Sequence, residues 1–142
     1  MVAMSLLYTK LPFPAPSFIL KQLLYEVAAW KRLLGFLSDE NNLLKDRLSE
    51  VLKERNSIIE LSDAERFQSN FVREDELLQV LRMEVVEIER LARAFGNKEI
   101  NHQRIIERKL KLFRSNILYF ESQFAGLQTV FNDYLRLELT AH

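Results

Sequence analysis

The chain contains no cysteine, and its 142 residues include only three glycines and three prolines. The missing cysteines exclude disulfides and thiolate chemistry, a composition compatible with an intracellular address. So few turn formers, beside 48% apolar and 28% charged residues, exclude both an all-β fold and a disordered chain. Histidine is scarce as well. Only His102 and the terminal His142 are present, so a nucleophile, base and acid have one internal imidazole to assemble around. Gly35, Gly96 and Gly126 stand alone, which leaves no glycine-rich loop to cradle a phosphate. No stretch approaches the ~20 uncharged residues of a membrane span. The apolar start, Met1 to Tyr8, is short for a signal peptide, lacks a basic flank and is followed by Lys10 and three prolines. Twenty basic and twenty acidic residues cancel, so no global field draws the chain to nucleic acid or an anionic membrane. A cytoplasmic location is expected.

What the chain has in abundance is a seven-residue repeat of large apolar side chains, alternating steps of three and four residues as a helix seam requires. It runs in three registers. The first is Leu20, Leu23, Val27, Trp30, Leu34, Leu37, Asn41, Leu44, Leu48, Val51, Arg55 and Ile58. The second, two positions out of phase with a continuation of the first, is Phe67, Phe71, Glu74, Leu78, Leu81, Val85, Ile88, Ala92 and Phe95. The third, apolar throughout, is Ile106, Leu110, Phe113, Ile117, Phe120, Phe124, Leu127, Phe131 and Tyr134.

Punctuation separates the registers. Pro12, Pro14 and Pro16 each fix their own φ and bias the residue before them away from the helix, so residues 1–16 read as an extended arm. Residues 17–142 then form one helical domain. Ser17 can cap a first helix over about 17–61, and Ser62-Asp63-Ala64-Glu65 has capping-box spacing for a second over about 63–95. Gly96-Asn97 closes that helix, and a third covers about 98–139. The expected fold is all-α, an antiparallel bundle of three long helices with coiled-coil heptads. The alternative is a four-helix bundle broken at Gly35–Ser38, where Ser38-Asp39-Glu40 could cap a new helix.

Folding the second and third helices about Gly96 to Asn101 places opposite each other residues whose numbers sum to about 197. That register predicts the pairs Glu89 with Arg108, Arg90 with Glu107, Glu87 with Lys111, and Glu84 with Arg114, each worth ~0.2–1 kcal/mol. It also occupies the one basic cluster, Arg104, Arg108, Lys109, Lys111 and Arg114, so a nucleic-acid-binding helical module ranks as a third reading. In the first seam, Asn41 and Arg55 read as register-specifying residues: a buried amide prefers a matching polar group, and an arginine stem can lie on the seam with its charge in solvent.

Glu99-Ile100-Asn101-His102 has the carboxylate-x-x-histidine spacing of a metal ligand pair, but carboxylate-bridged di-iron bundles need two such motifs and two more inward carboxylates. Glu74 is the sole carboxylate on a seam in a clear inward position. No cofactor or metal is therefore expected, and a ligand- or metal-carrying bundle is the second functional reading.

The leading reading is a non-enzymatic helical interaction protein, a self-associating or scaffold subunit of a larger assembly. Two features suggest where a partner binds. Ile105, Leu112 and Tyr119 form a stripe beside the third seam, in which Leu112 and Tyr119 are expected to be partly exposed, while the matching stripe Ala29, Phe36 and Leu43 beside the first is expected to bury Phe36. The predicted helices also differ in length, roughly 65, 48 and 63 Å at about 1.5 Å per residue. The excess leaves two overhangs, one carrying Leu20, Leu23, Val27 and Trp30, the other Phe131, Tyr134, Leu135 and Leu137. A homo-oligomer or an obligate protein partner covering them is the expectation, with the arm against one of them.

Overall fold

The computed structural model describes residues 16–54, 59–95 and 100–141. They form three α-helices, α1 (Pro16–Lys53), α2 (Leu61–Phe95) and α3 (Ile100–Ala141), with no strand among the described residues. The arm, apart from Pro16, lies outside the described residues. Proline at the first position of α1 costs nothing, because its missing N–H would have no intrahelical partner there.

The helix α1 passes unbroken through Gly35 and Ser38, so the described residues form three helices and not four. Leu34 and Leu37, buried on either side of the glycine, hold the segment against the core. The far end of α1 differs from the expectation, stopping at Lys53 rather than near Leu61. Lys53, Glu54, Arg55, Asn56 and Ser57 are five consecutive polar residues. Further turns there have no apolar side chain to bury, and most helical stability in a protein comes from such burial. The second helix in turn starts earlier, at Leu61, with the Ala64 amide donating to the Glu60 carbonyl at 3.0 Å. Ser62 thus sits inside the first turn and is not its cap. Asp63 contributes its negative charge to that turn, where the free amides favour it.

All three seams face one core. Val27, Leu34, Leu44 and Leu48 of α1 meet Phe67, Phe71, Leu78, Val85 and Ala92 of α2 and Ile106, Phe113, Ile117, Phe120, Phe124 and Phe131 of α3, all buried. Aromatic rings organise it at three levels. Phe131 contacts both Phe67 and Phe71 edge-on, with ring centroids 5.0 Å away in each case; Phe120 stacks on Phe124 at 5.7 Å; Trp30 tilts over Phe113 at 4.7 Å. Such pairs contribute about 0.5–1.5 kcal/mol each beyond their burial.

The sequential helices are antiparallel. Asp63 meets Tyr134, a pair whose numbers sum to 197, the register expected from the sequence. Between α1 and α3 the numbers instead rise together, from Glu26 with Arg114 through Glu40 with Gln128 to Arg47 with Asn132, so these two helices are parallel. They pack least closely of the three pairs, and large or long side chains span the gap.

Candidate interaction face

The expected overhangs are not present. Helices of 38, 35 and 42 residues measure about 57, 52 and 63 Å, far closer in length than the sequence implied, because α1 is shorter and α2 longer. Leu23 and Val27 at one end, and Phe131 and Leu135 at the other, are buried within the chain itself. Leu20, Trp30 and Tyr134 are half-buried against the core, and of the eight overhang residues only Leu137 is exposed. Parallel pairing of α1 with α3 accounts for this, since it lays the start of α1 along α3 where the second helix ends. Arg114 seals the contact: its Nε and Nη2 donate to the two carboxylate oxygens of Glu26 at 3.1 and 2.5 Å, and its guanidinium lies 5.9 Å from the Trp30 ring centre.

That contact also overturns the expected charge pairs between α2 and α3. Arg114 turns to α1 and not to Glu84. Glu89 pairs with Lys31 of α1 at 2.8 Å and, along its own helix, with Arg93; Glu87 pairs with Arg90. Arg108 and Lys111 form no ion pair among the described residues. A long side chain reaches two neighbouring helices, and the geometry of the bundle decides between them where single pairs are worth so little. Arg90 holds the Glu87 carboxyl below the usual range, chiefly by hydrogen bonding, with its charge and that of Lys109 in support.

Two polar side chains lie inside. Asn41 is fully buried, and its Nδ2 donates to the Phe71 carbonyl at 2.9 Å and to Asp75 Oδ1 at 2.7 Å, while its own Oδ1 has no partner among the described residues. Asp75, which falls off the second seam, is thus the polar group that a buried amide calls for, and Lys45 holds its other oxygen. Only the three-dimensional register of α1 on α2 identifies it. Glu74, one position earlier, is buried as its seam position requires, with no partner for Oε2 among the described residues; burial raises its pKa, and the nearby charge of Arg73 opposes that shift. Arg55, the second polar residue of the seam, lies outside the described residues, as does Glu99 of the carboxylate–histidine motif. No group of three or more potential metal-ligating side chains occurs among the described residues, and none of the described helices is long and apolar enough to cross a membrane.

The outer surface is more apolar than the seams imply. Leu112 and Tyr119 are 63% and 71% exposed. Phe36, expected inside, is 58% exposed, because both neighbours of α1 lie on the opposite side of that helix. Leu112 and Tyr119 do not stand alone. Together with the exposed Val80 and Met83 of α2 they line two adjoining grooves between α2 and α3, of about 420 and 230 Å³. Val80 and Glu84 belong to both, so the grooves are continuous. The floor is Ile88, Phe113 and Phe120, with Glu84 and Glu87 on one wall and Lys109 on the other. Val80 and Met83 fall off the second seam; the signal for them is a count of apolar residues on the outward side of α2. Another groove, of about 530 Å³, lies between the starts of α1 and α3 over Leu20, Leu23, Ile106 and Leu110.

No protein-family model matches the chain, and no curated protein or solved structure is significantly similar to it.

Proposed function

We propose that this chain is a non-enzymatic helical interaction protein, a self-associating or scaffold subunit of a larger protein assembly, and that it works in the cytoplasm. The observation that carries the reading is the apolar face of α2 and α3, where Val80, Met83, Leu112 and Tyr119 are exposed side by side. Apolar side chains grouped in this way on a folded surface mark a site of association, whereas singly scattered ones need no explanation. The face is long and shallow, bounded by charges of both signs, and offers a helix a row of apolar contacts rather than enclosing a small molecule. The balanced charge of the chain supports a protein partner over nucleic acid.

Native-state sizing tests this. In extracts of its own cell, under gentle conditions, the tagged chain is expected to run well above its 16.8 kDa mass. Replacing both Leu112 and Tyr119 by lysine should return it to the size of a single chain without loss of helicity. A parent chain of single-chain size, both in extracts and when purified, overturns the reading.

A further inference from the structure

We infer that the exposed stripe of α3 is the contact surface for a second copy of this chain, laid antiparallel so that a two-fold axis passes at the level of residue 121. This rests on the interaction reading above and gives the face its occupant. Ile105, Leu112, Tyr119, Val130 and Leu137 are all exposed. At about 100° per residue they fall within a sector of about 40° on one side of α3. Their spacing is self-complementary. Antiparallel pairing about residue 121 brings Ile105 level with Leu137 and Leu112 level with Val130, while Tyr119 faces Gln123, which an amide and a phenol can share through a hydrogen bond.

Charge selects the same arrangement. Arg108 stands beside the stripe and makes no ion pair among the described residues, and Asp133 lies on the same flank with one exposed partner three residues along its own helix, Arg136. Antiparallel copies bring Arg108 of each level with Asp133 of the other. Parallel copies would leave Arg108 and Asp133 about 37 Å apart along the helices and form neither pair.

A glycine supplies an independent observation. Gly126 lies in the interior of α3, has no positive φ, and nothing among the described residues approaches within 4 Å of the place its Cβ would take. Nothing among the described residues of the single chain requires a glycine there, and in a helix interior glycine is less stable than alanine. In the antiparallel pair it comes level with Asn116 and beside Ser115 of the second copy, where an absent side chain lets two backbones approach.

The absence of native cysteine makes the test direct. Two full-length variants, Leu112→Cys and Val130→Cys, are purified separately and mixed, and disulfide-linked dimers are read on non-reducing gels under mild oxidation, with light scattering on the parent. The expected result is a parent of twice 16.8 kDa, abundant cross-linking in the mixture, and little in either variant alone, whose equivalent positions lie about 27 Å apart along the paired helices. Circular dichroism confirms that both exposed-site variants keep the parent's helicity. A parent that stays a single chain at 100 µM overturns the inference, and native sizing in extracts then decides separately whether another protein takes the face. A dimer in which each variant cross-links to itself also overturns it, in favour of a parallel pair, while leaving the interaction reading standing. Gly126→Leu adds a readout that a purely structural role would not give: an unchanged or raised melting temperature with a dissociation constant at least tenfold weaker.

Discussion

The Tyr134 hydroxyl donates to Asp63 Oδ2 at 2.7 Å, joining the last turns of α3 to the first turn of α2. Burial, followed by this hydrogen bond and the charge of Asp63, pushes the phenol up to about 12 from 10.0. The folded chain therefore keeps this proton longer than the unfolded one. The resulting stability is complete below about pH 10 and is lost as pH rises through about 12. At neutral pH Tyr134→Phe should cost about 1.5 kcal/mol in urea unfolding, the lower end for a hydrogen bond to a charged group. Asp63→Ala should cost less in that variant than in the parent, the remainder being its charge in the first turn of α2, and fully additive losses would show that the bond contributes nothing.

Phe120→Asp should abolish the cooperative helical melt. Phe120 is buried at the middle of the most apolar seam and stacks on Phe124. An unpaired carboxylate in its place costs several kcal/mol, a large share of the 5–15 kcal/mol that holds a domain of this size together. A variant that melts like the parent would mean that α3 does not bury this face.

Glu74→Gln should stabilise the bundle increasingly with pH. Burial holds the Glu74 pKa above 4.5, against the charge of Arg73, so the folded chain favours the protonated carboxyl. Its contribution to stability declines as pH climbs from about 4.5 through the raised value. The parent and the amide variant should melt close together near pH 4 and diverge near pH 7, with the variant higher. Taking the difference between two chains cancels the other titrating groups. A gap that narrows with rising pH would reverse the assignment.

Asn41→Ala should cost about 1–3 kcal/mol, because it removes a buried donor with two acceptors and leaves a cavity in the α1 and α2 contact. Asn41→Asp tests the polarity of the site. It sets two carboxylates together where Asp75 now accepts from an amide, and it should destabilise more at pH 7 than at about pH 4. Urea midpoints at the two pH values measure both.

The buried face of each helix was legible in the sequence because it is a local property. A rotation of about 100° per residue turns a repeat of threes and fours into one stripe, and a stripe of leucine, phenylalanine and isoleucine has to leave water wherever its neighbours stand. The three helices, the inward Asn41 and Glu74, and the antiparallel register of α2 on α3 all follow from that phase and from the few residues that separate α2 from α3. Tertiary structure alone decided what the phase does not contain. The end of α1 lies where burial runs out, and that shortening, with α1 parallel to α3, buries Leu23, Val27, Phe131 and Leu135 inside one chain instead of presenting them to another. Glu89 and Arg114 both turn to α1, since exposed charges are too weak to direct packing and take the partner that the apolar core brings within reach. Phe36 and Tyr119 lie on similar stripes beside their seams, and the repeat does not say which neighbour, if any, stands over either. Phe36 remains exposed because the other two helices occupy the opposite side of α1, and Tyr119 because it stands at the rim of the groove between α2 and α3.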